Sequence, residues 1–269
     1  DRRHYNNVYM QLDDYWKSIS FIPHSHIMSW QQAQWVLHNK PLAEDFWAET
    51  DVVYCPAESF VPTKKAKLIC TIHDVAGFEE SLYPNSADRR WHCFKWRILF
   101  RCMARQADAV VTVSEFSASR IAYFFPELEN RLHVIHNAPH EDFGAELAPG
   151  LIQEVDRLTG GDPYILLPGG LSLRKNAEVV LEAVPRLAAK LPGVKLIIAG
   201  YNDKFYVERL QQVDAKNVVL ANYVSDEFLN ALYQQADAVW FPSRYEGFGM
   251  PVIEAMTAGA PVVASIIHS

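Results

Sequence analysis

The amino-acid sequence predicts an α/β protein of two domains built on parallel sheets, the second with helices on both faces of its sheet. Three observations carry this expectation. Short apolar runs recur along the chain, each the length of a strand buried on both faces. Beyond about residue 160 these runs alternate with helical patterns every roughly 20 to 30 residues, the rhythm of right-handed β-α crossovers. Finally, Ala238 to Ser265 reads as strand, glycine loop, helix and strand in direct succession.

Taken in order, residues 1–50 are rich in aromatics (Tyr5, Tyr9, Tyr15, Trp16, Phe21, Trp30, Trp35, Trp47) without a clean period, and carry helix-like stretches near 30–38 and 42–49. From there the pattern sharpens. Strands are expected at Asp51–Tyr54 and Lys67–His73, the second followed directly by the loop Asp74–Gly77. A helix follows from about Asp88 to Gln106, then a strand at Ala109–Val113. Ser114 is suited to N-cap the next helix, which runs to about Phe124 with Glu115 in its first turn, and Leu132–His136 is a strand. The densest turn signal lies at 137–162 (Pro139, Gly144, Pro149, Gly150, Gly160, Gly161), so the boundary is placed there, giving domains 1–160 and 161–269. In the second domain strands centre near Leu166, Ile197, Val219, Val239 and Val263, with helices at about 175–190, 203–213, 225–235 and 251–259. The chain opens on Asp1-Arg-Arg-His-Tyr5 and stops just past a strand, so both domains are expected to be incomplete.

Composition narrows the function. With 269 residues, 49% of them hydrophobic and 21% charged, the chain can bury a real core. A formal net charge of −7 argues against a general nucleic-acid binder. Cys55, Cys70, Cys93 and Cys102 show neither a C-x-x-C pair nor zinc-ligand spacing, which makes a reducing, cytoplasmic setting the default. No apolar run approaches the length of a spanning helix.

The loop after Ala238–Phe241 is the centre of the functional reading. Parallel strands joined by a helix put this loop at the carboxyl edge of the sheet, where such sheets bind ligands, and point the helix N-terminus at the guest. Gly247 and Gly249 let backbone approach a phosphate, and Pro251 suits the first helical turn. Glu246 before the glycines and Glu254 eight residues later do not fit a plain phosphate loop. A carboxylate accepts two hydrogen bonds at once, which suits vicinal hydroxyls of a sugar or ribose. Singly, each is more simply a solvated surface glutamate; together with the glycines they point to a ligand with hydroxyls at both ends and phosphate between.

A second loop has the same character. Leu167-Pro-Gly169-Gly170-Leu-Ser-Leu-Arg174-Lys175-Asn176 follows the first strand of the second domain and sets two cations at the expected start of a helix, where positive charge is unfavourable unless an anion binds. Exposed, solvated side chains are the competing reading. In the first domain His73 and Asp74 stand at a strand end. A histidine there could donate to a sugar hydroxyl or position an acceptor, although a structural role is the commoner one. The 89–105 segment holds Arg89, Arg90, Lys95, Arg97, Arg101 and Arg105 with no acidic residue, interleaved with Trp91, Phe94, Trp96 and Phe100. It reads equally as a surface for anionic lipid headgroups and as a core helix with one basic edge.

Glu246-Gly-Phe-Gly-Met-Pro-Val-Ile-Glu254 resembles the E-x7-E signature of the retaining glycosyltransferases of GT-B fold, in particular those of family four, which includes bacterial mannosyl- and glucosyltransferases. Lys175 matches that family's lysine, while Gly170 stands where members often carry arginine, and Arg174 is the nearest substitute. His73 is similar to the histidine that the family places against the donor sugar, Ser114-Glu115-Phe116-Ser117 to its V-S-E-F-S segment, and Asn137 to the turn that leads into its linker. The resemblance, strong over 160–265 and looser from 51, implies two Rossmann-like domains. It also implies a metal-independent, cofactor-free transfer of a hexose, mannose or glucose first, from a nucleotide diphosphate sugar to a glycan or lipid-linked acceptor, with retention of configuration, in polysaccharide synthesis. A cytoplasmic protein is expected, at the inner face of the membrane if the 89–105 segment rests on lipid. In those terms His73, Glu246, Arg174 and Lys175 would be catalytic. Gly169, Gly170, Gly247, Phe248, Gly249, Met250, Val252 and Glu254 would help hold the donor, with Glu254 on the ribose and Glu246 on the hexose. Asp74, Ser114 and Glu115 would face the acceptor. Glu246→Ala is expected to remove most transfer activity and leave the fold intact. A sugar-nucleotide epimerase or a glycogen-type phosphorylase on the same architecture, and a non-catalytic sugar-nucleotide-binding protein, are the alternatives.

Overall fold

A computed structural model describes residues 28–82, 87–213 and 215–267. The aromatic segment holding Tyr5, Tyr9, Tyr15, Trp16 and Phe21 lies outside the described residues. The chain forms two parallel sheets. The first contains β1 (Val52–Cys55), β2 (Lys67–Thr71), β3 (Ala109–Thr112) and β4 (Leu132–Val134), side by side in sequence order. The second contains β5 (Tyr164–Pro168), β6 (Lys195–Ala199), β7 (Val218–Asn222), β8 (Ala238–Phe241) and β9 (Val262–Ala264), in the order β7-β6-β5-β8-β9. The helices are α1 (Met28–His38), α2 (Ala43–Phe46), α3 (Ala87–Gln106), α4 (Glu115–Phe124), α5 (Pro149–Thr159), α6 (Ala177–Lys190), α7 (Lys204–Leu210), α8 (Asp226–Gln235) and α9 (Met250–Thr257). This is the two-domain α/β architecture that the alternation of apolar runs predicts.

Strand order decides where a ligand goes. The chain leaves β5 towards β6 and β7, then crosses to β8 and β9 on the other side, so the direction of winding reverses between β5 and β8. Loops that leave adjacent strands in opposite directions part company and open a crevice at the carboxyl edge. The two loops singled out in the sequence are those that follow β5 and β8.

The second sheet is held from both faces because neighbouring residues along each strand point opposite ways. Leu166, Ile197 and Val239 pack with Val155, Leu232 and Ala255 on one face; Leu167, Leu196 and Ile198 pack with Val180, Val184 and Leu210 on the other. Leu166 and Ile197 are in register and fully buried; truncating either to alanine would cost about 2–5 kcal/mol. In the first domain α3 lays Leu99, Phe100, Met103 and Ala104 onto Leu68, Cys70 and Val110 of the sheet.

Two expectations need correction. Residues 149–159, placed before the boundary at 160, form α5, and its Val155 belongs to the second core together with Phe143. The changeover therefore precedes Phe143. The turn-rich sequence hid the helix because its Pro149 sits in the first turn, where no donor is lost, and Gly160 closes it in a left-handed cap (φ 68°). Likewise α6 begins only at Ala177, so Arg174 and Lys175 lie in the turn that precedes it rather than at its start.

Candidate active site

The loop after β8 brings Glu246 back over the end of β5. Its carboxylate is buried and takes both cations of the β5 loop, Arg174 Nη1 on Oε2 and Lys175 Nζ on Oε1, each at 2.7 Å. Arg174 Nη1 also donates to the Tyr245 carbonyl at 3.3 Å, and the Arg244 backbone N–H returns a bond of 2.9 Å to the Arg174 carbonyl. The two loops are therefore one unit. Lys175 is buried with its ammonium 4.6 Å from the centre of the Phe241 ring, and burial pushes its pKa below the usual lysine value, against the pull of Glu246. One carboxylate against two cations leaves a net positive charge for an anionic guest.

Glu254 is on the first turns of α9, half-buried. It accepts from the Tyr233 hydroxyl at 3.1 Å, and burial raises its pKa above the ordinary glutamate value. Gly169, Arg174, Lys175, Tyr233, Pro251 and Glu254 line one cavity of about 420 Å³ at the carboxyl edge of the sheet. The loop residues Phe248 and Met250 are half-buried, and Gly249, at φ 87°, caps α9 from the left-handed region. Val252 donates back to the Gly249 carbonyl at 2.9 Å, within the first turn of α9.

Gly170 explains itself. A Cβ built there would lie 1.9 Å from the Tyr201 carbonyl oxygen, and φ is +75°. No side chain fits on that backbone, so the cation that the resemblance leads one to expect at this position is sterically excluded. Arg174 reaches the site instead, from four residues on.

The two domains meet at Gly247. A Cβ there would stand 3.0 Å from Asp74 Cβ and 3.1 Å from the His73 carbonyl. Its carbonyl accepts from the hydroxyls of Ser114 and Ser117, the second at 3.1 Å. Ser114 simultaneously caps α4 by accepting from the Ser117 backbone N–H at 3.0 Å. The Ser114 hydroxyl is thus engaged in the closure of the two loops. Glu115 is exposed on the first turn of α4. Asp74, against which Gly247 sits, has its pKa raised by burial, and its Oδ1 accepts from the Ala76 backbone N–H at 2.9 Å. His73 is half-exposed at the cleft, its Nδ1 2.9 Å from Glu58 Oε1. The ring of His136, next to Asn137, lies 5.8 Å from that of Phe248, a further contact across the domains.

Sequence reading missed Tyr233, Phe241 and Glu58. Tyr233 sits among the apolar residues of α8 and Phe241 ends a strand, so each reads as core; Glu58 lies in an irregular loop with no period to place it. Among the described residues there is no group of three or more His, Cys, Asp or Glu arranged to hold a metal.

Comparison with known proteins finds relatives for both domains. The family model described as Glycosyl transferases group 1 matches residues 151–269, and that of Glycosyltransferase Family 4 matches residues 51–142. O-antigen chain mannosyltransferase B of Escherichia coli is 28% identical over 250 residues, covering 88% of this chain and 63% of that protein. A sucrose-phosphate synthase structure from Thermosynechococcus elongatus superposes with a TM-score of 0.65 at 18% identity, covering 92% of this chain and 63% of that one. The Anabaena HepE structure, in complex with UDP-glucose, superposes with a TM-score of 0.57 at 21% identity, covering 74% of this chain and 53% of that one. The chain spans 42% and 63% of the lengths of the first two curated relatives it matches.

Proposed function

Because the chain belongs to the group 1 glycosyltransferases of the family-four kind, we propose that it moves a hexose from a nucleotide diphosphate sugar to a glycan or lipid-linked acceptor, with retention of anomeric configuration and without a metal ion. One observation carries the reading: Arg174, Lys175 and Glu254 line a single cavity at the switch point between β5 and β8, and Glu246 is clamped between the same two cations. Cations suited to the diphosphate and a carboxylate suited to the ribose diol share the lining of this cavity.

On this reading Glu254 accepts from the ribose hydroxyls and Glu246 turns part of its carboxylate to the hexose. Arg174 and Lys175 then shift towards the diphosphate, and their charge, with the N-terminus of α9, offsets the negative charge that builds on the leaving group. Fixed donors of this kind are each worth about 3–4 kcal/mol in related charge-stabilising sites. No proton needs to be supplied to a leaving diphosphate, which is why two cations can do what a metal does elsewhere. Mannose is the preferred hexose because the relative with 88% coverage of this chain is a mannosyltransferase. Incubating the protein with GDP-mannose or UDP-glucose and a panel of glycan acceptors in excess EDTA, and reading the product anomer by NMR, tests the whole statement. An α-linked product is expected. A β-linked product would contradict retention, and activity lost in EDTA and restored by Mg²⁺ would contradict metal independence.

The membrane contact expected of the 89–105 segment falls on α3. Lys95, Arg97, Arg101 and Arg105 are exposed along it, with Trp91 and Phe94 exposed near its start and stacked at 5.6 Å. The buried Leu99, Phe100 and Met103 on its other side account for the core reading of the same sequence. The Arg89 side chain lies outside the described residues. No helix among the described residues is long and apolar enough to cross a membrane. The basic and aromatic face is suited to rest on anionic lipid. Sedimentation with phosphatidylserine vesicles at low salt, lost at high salt, is the expected result; no sedimentation at low salt would contradict it.

A further inference from the structure

His73 is held in place by a side chain with no part in the donor cavity. Glu58 lies in the loop after β1, 15 residues before it, and its Oε1 accepts the His73 backbone N–H at 2.9 Å while standing 2.9 Å from Nδ1 of the same residue. A carboxylate oxygen has no proton to give, so a hydrogen bond between it and the ring requires the proton on Nδ1. That leaves Nε2 as the ring atom free to face the cleft. The burial fits such a division: the Glu58 side chain is 25% exposed and that of His73 45%. Glu58 and Asp74 also line a cavity of about 280 Å³ whose other walls include Val75, Phe78, Trp96 and Phe100, so the carboxylate is pinned on an apolar wall while the ring keeps one edge open.

We propose that Glu58 is a positioning residue for the transfer: it fixes His73 in the Nδ1-protonated form and aims Nε2 at the sugar end of the donor, where its lone pair accepts from a sugar hydroxyl. The inference rests on His73 facing the donor sugar, as read above. It differs from a purely structural role because the tautomer, and not just the loop, depends on Glu58.

Two readouts test it. Long-range proton–nitrogen NMR of the histidine rings in the intact protein, with the His73 signals assigned by their loss in His73→Ala, should show Nδ1 protonated in the wild type and in Glu58→Gln, whose amide oxygen can still accept. In Glu58→Ala both tautomers should be present. Release of nucleoside diphosphate from GDP-mannose and UDP-glucose should fall about 10–100-fold in Glu58→Ala, stay near wild type in Glu58→Gln, and fall no further when Glu58→Ala is added to His73→Ala. A wild-type His73 protonated on Nε2, or a full Glu58→Ala effect in the His73→Ala background, would overturn the proposal. Wild-type turnover in Glu58→Ala alongside a loss in His73→Ala would overturn Glu58 only, whereas wild-type turnover in His73→Ala would overturn the role of the histidine itself. The NMR result on the wild type stands even if Glu58→Ala does not fold.

Discussion

Lys175 and Glu254 show how burial tunes single residues of the site. Desolvation lowers the pKa of Lys175 from 10.5 and raises that of Glu254 from 4.5. Donor binding needs the ammonium charged and the carboxylate ionised. Affinity for UDP, measured by calorimetry across pH, should therefore climb on the acid side at a higher pH than an ordinary glutamate would give, and fall on the alkaline side before pH 10.5. The stability of the protein alone should run the other way on the alkaline limb. Between the lowered and the ordinary lysine pKa the unfolded chain binds the proton that folded Lys175 has lost, so stability rises with pH there. Lys175→Arg should move the alkaline limb of UDP binding upward; an unmoved limb would mean another group titrates. Gly170 gives a second residue-scale test. Gly170→Ala would force a Cβ onto the Tyr201 carbonyl from a left-handed backbone, at a cost of about 3 kcal/mol, visible as a lower midpoint in urea. Glu246→Ala should also destabilise, by about 3–5 kcal/mol, since it strands the buried Lys175 without its anion. The expectation from sequence that this variant leaves the fold intact therefore gives way, and Glu246→Gln is the cleaner probe of activity.

At the level of elements, α4 does two jobs through one residue. Ser114 caps the helix and, with Ser117, ties the Gly247 carbonyl of the opposite domain. Ser114→Ala alone should cost about 1 kcal/mol as a lost cap. Ser114→Ala with Ser117→Ala should in addition leave the Gly247 carbonyl without these donors, loosen the cleft and weaken donor binding, which small-angle scattering and a UDP titration would register together. A double variant with wild-type dimensions and affinity would show that the closure does not depend on these hydroxyls. The strands and the helices over 87–106, 115–124 and 226–235 were legible because their apolar spacing and caps agree. The α5 helix was not, since proline and glycine at its ends look like turns until its apolar face is seen to meet the second sheet. The place of Arg174 and Lys175 before α6 was equally hidden: Asn176 caps that helix in the left-handed conformation (φ 60°), which no sequence pattern announced.

At the scale of the whole molecule, the site exists because the second sheet reverses its winding between β5 and β8, and because the first sheet presents His73, Asp74 and Ser114 to the resulting crevice. The residues on each loop could be singled out in the sequence as candidates for a donor site, Glu246 and Glu254 by their glycines and Lys175 by its strand end. Their partners could not. The clamp of Glu246 on two cations spans about 70 positions, and the contact of Gly247 with Ser114 spans 133; only strand order brings such pairs together, and strand order is not written in local spacing. The central claim is that this crevice holds the nucleotide sugar with Glu254 on the ribose. Calorimetric titration of GDP-mannose and UDP-glucose into wild type and Glu254→Gln tests it most directly. The amide keeps the bond from Tyr233 but loses the charge and one acceptor, so affinity for whichever donor binds should drop about 10-fold or more with the thermal midpoint little changed. Equal affinity in the two proteins would contradict the account.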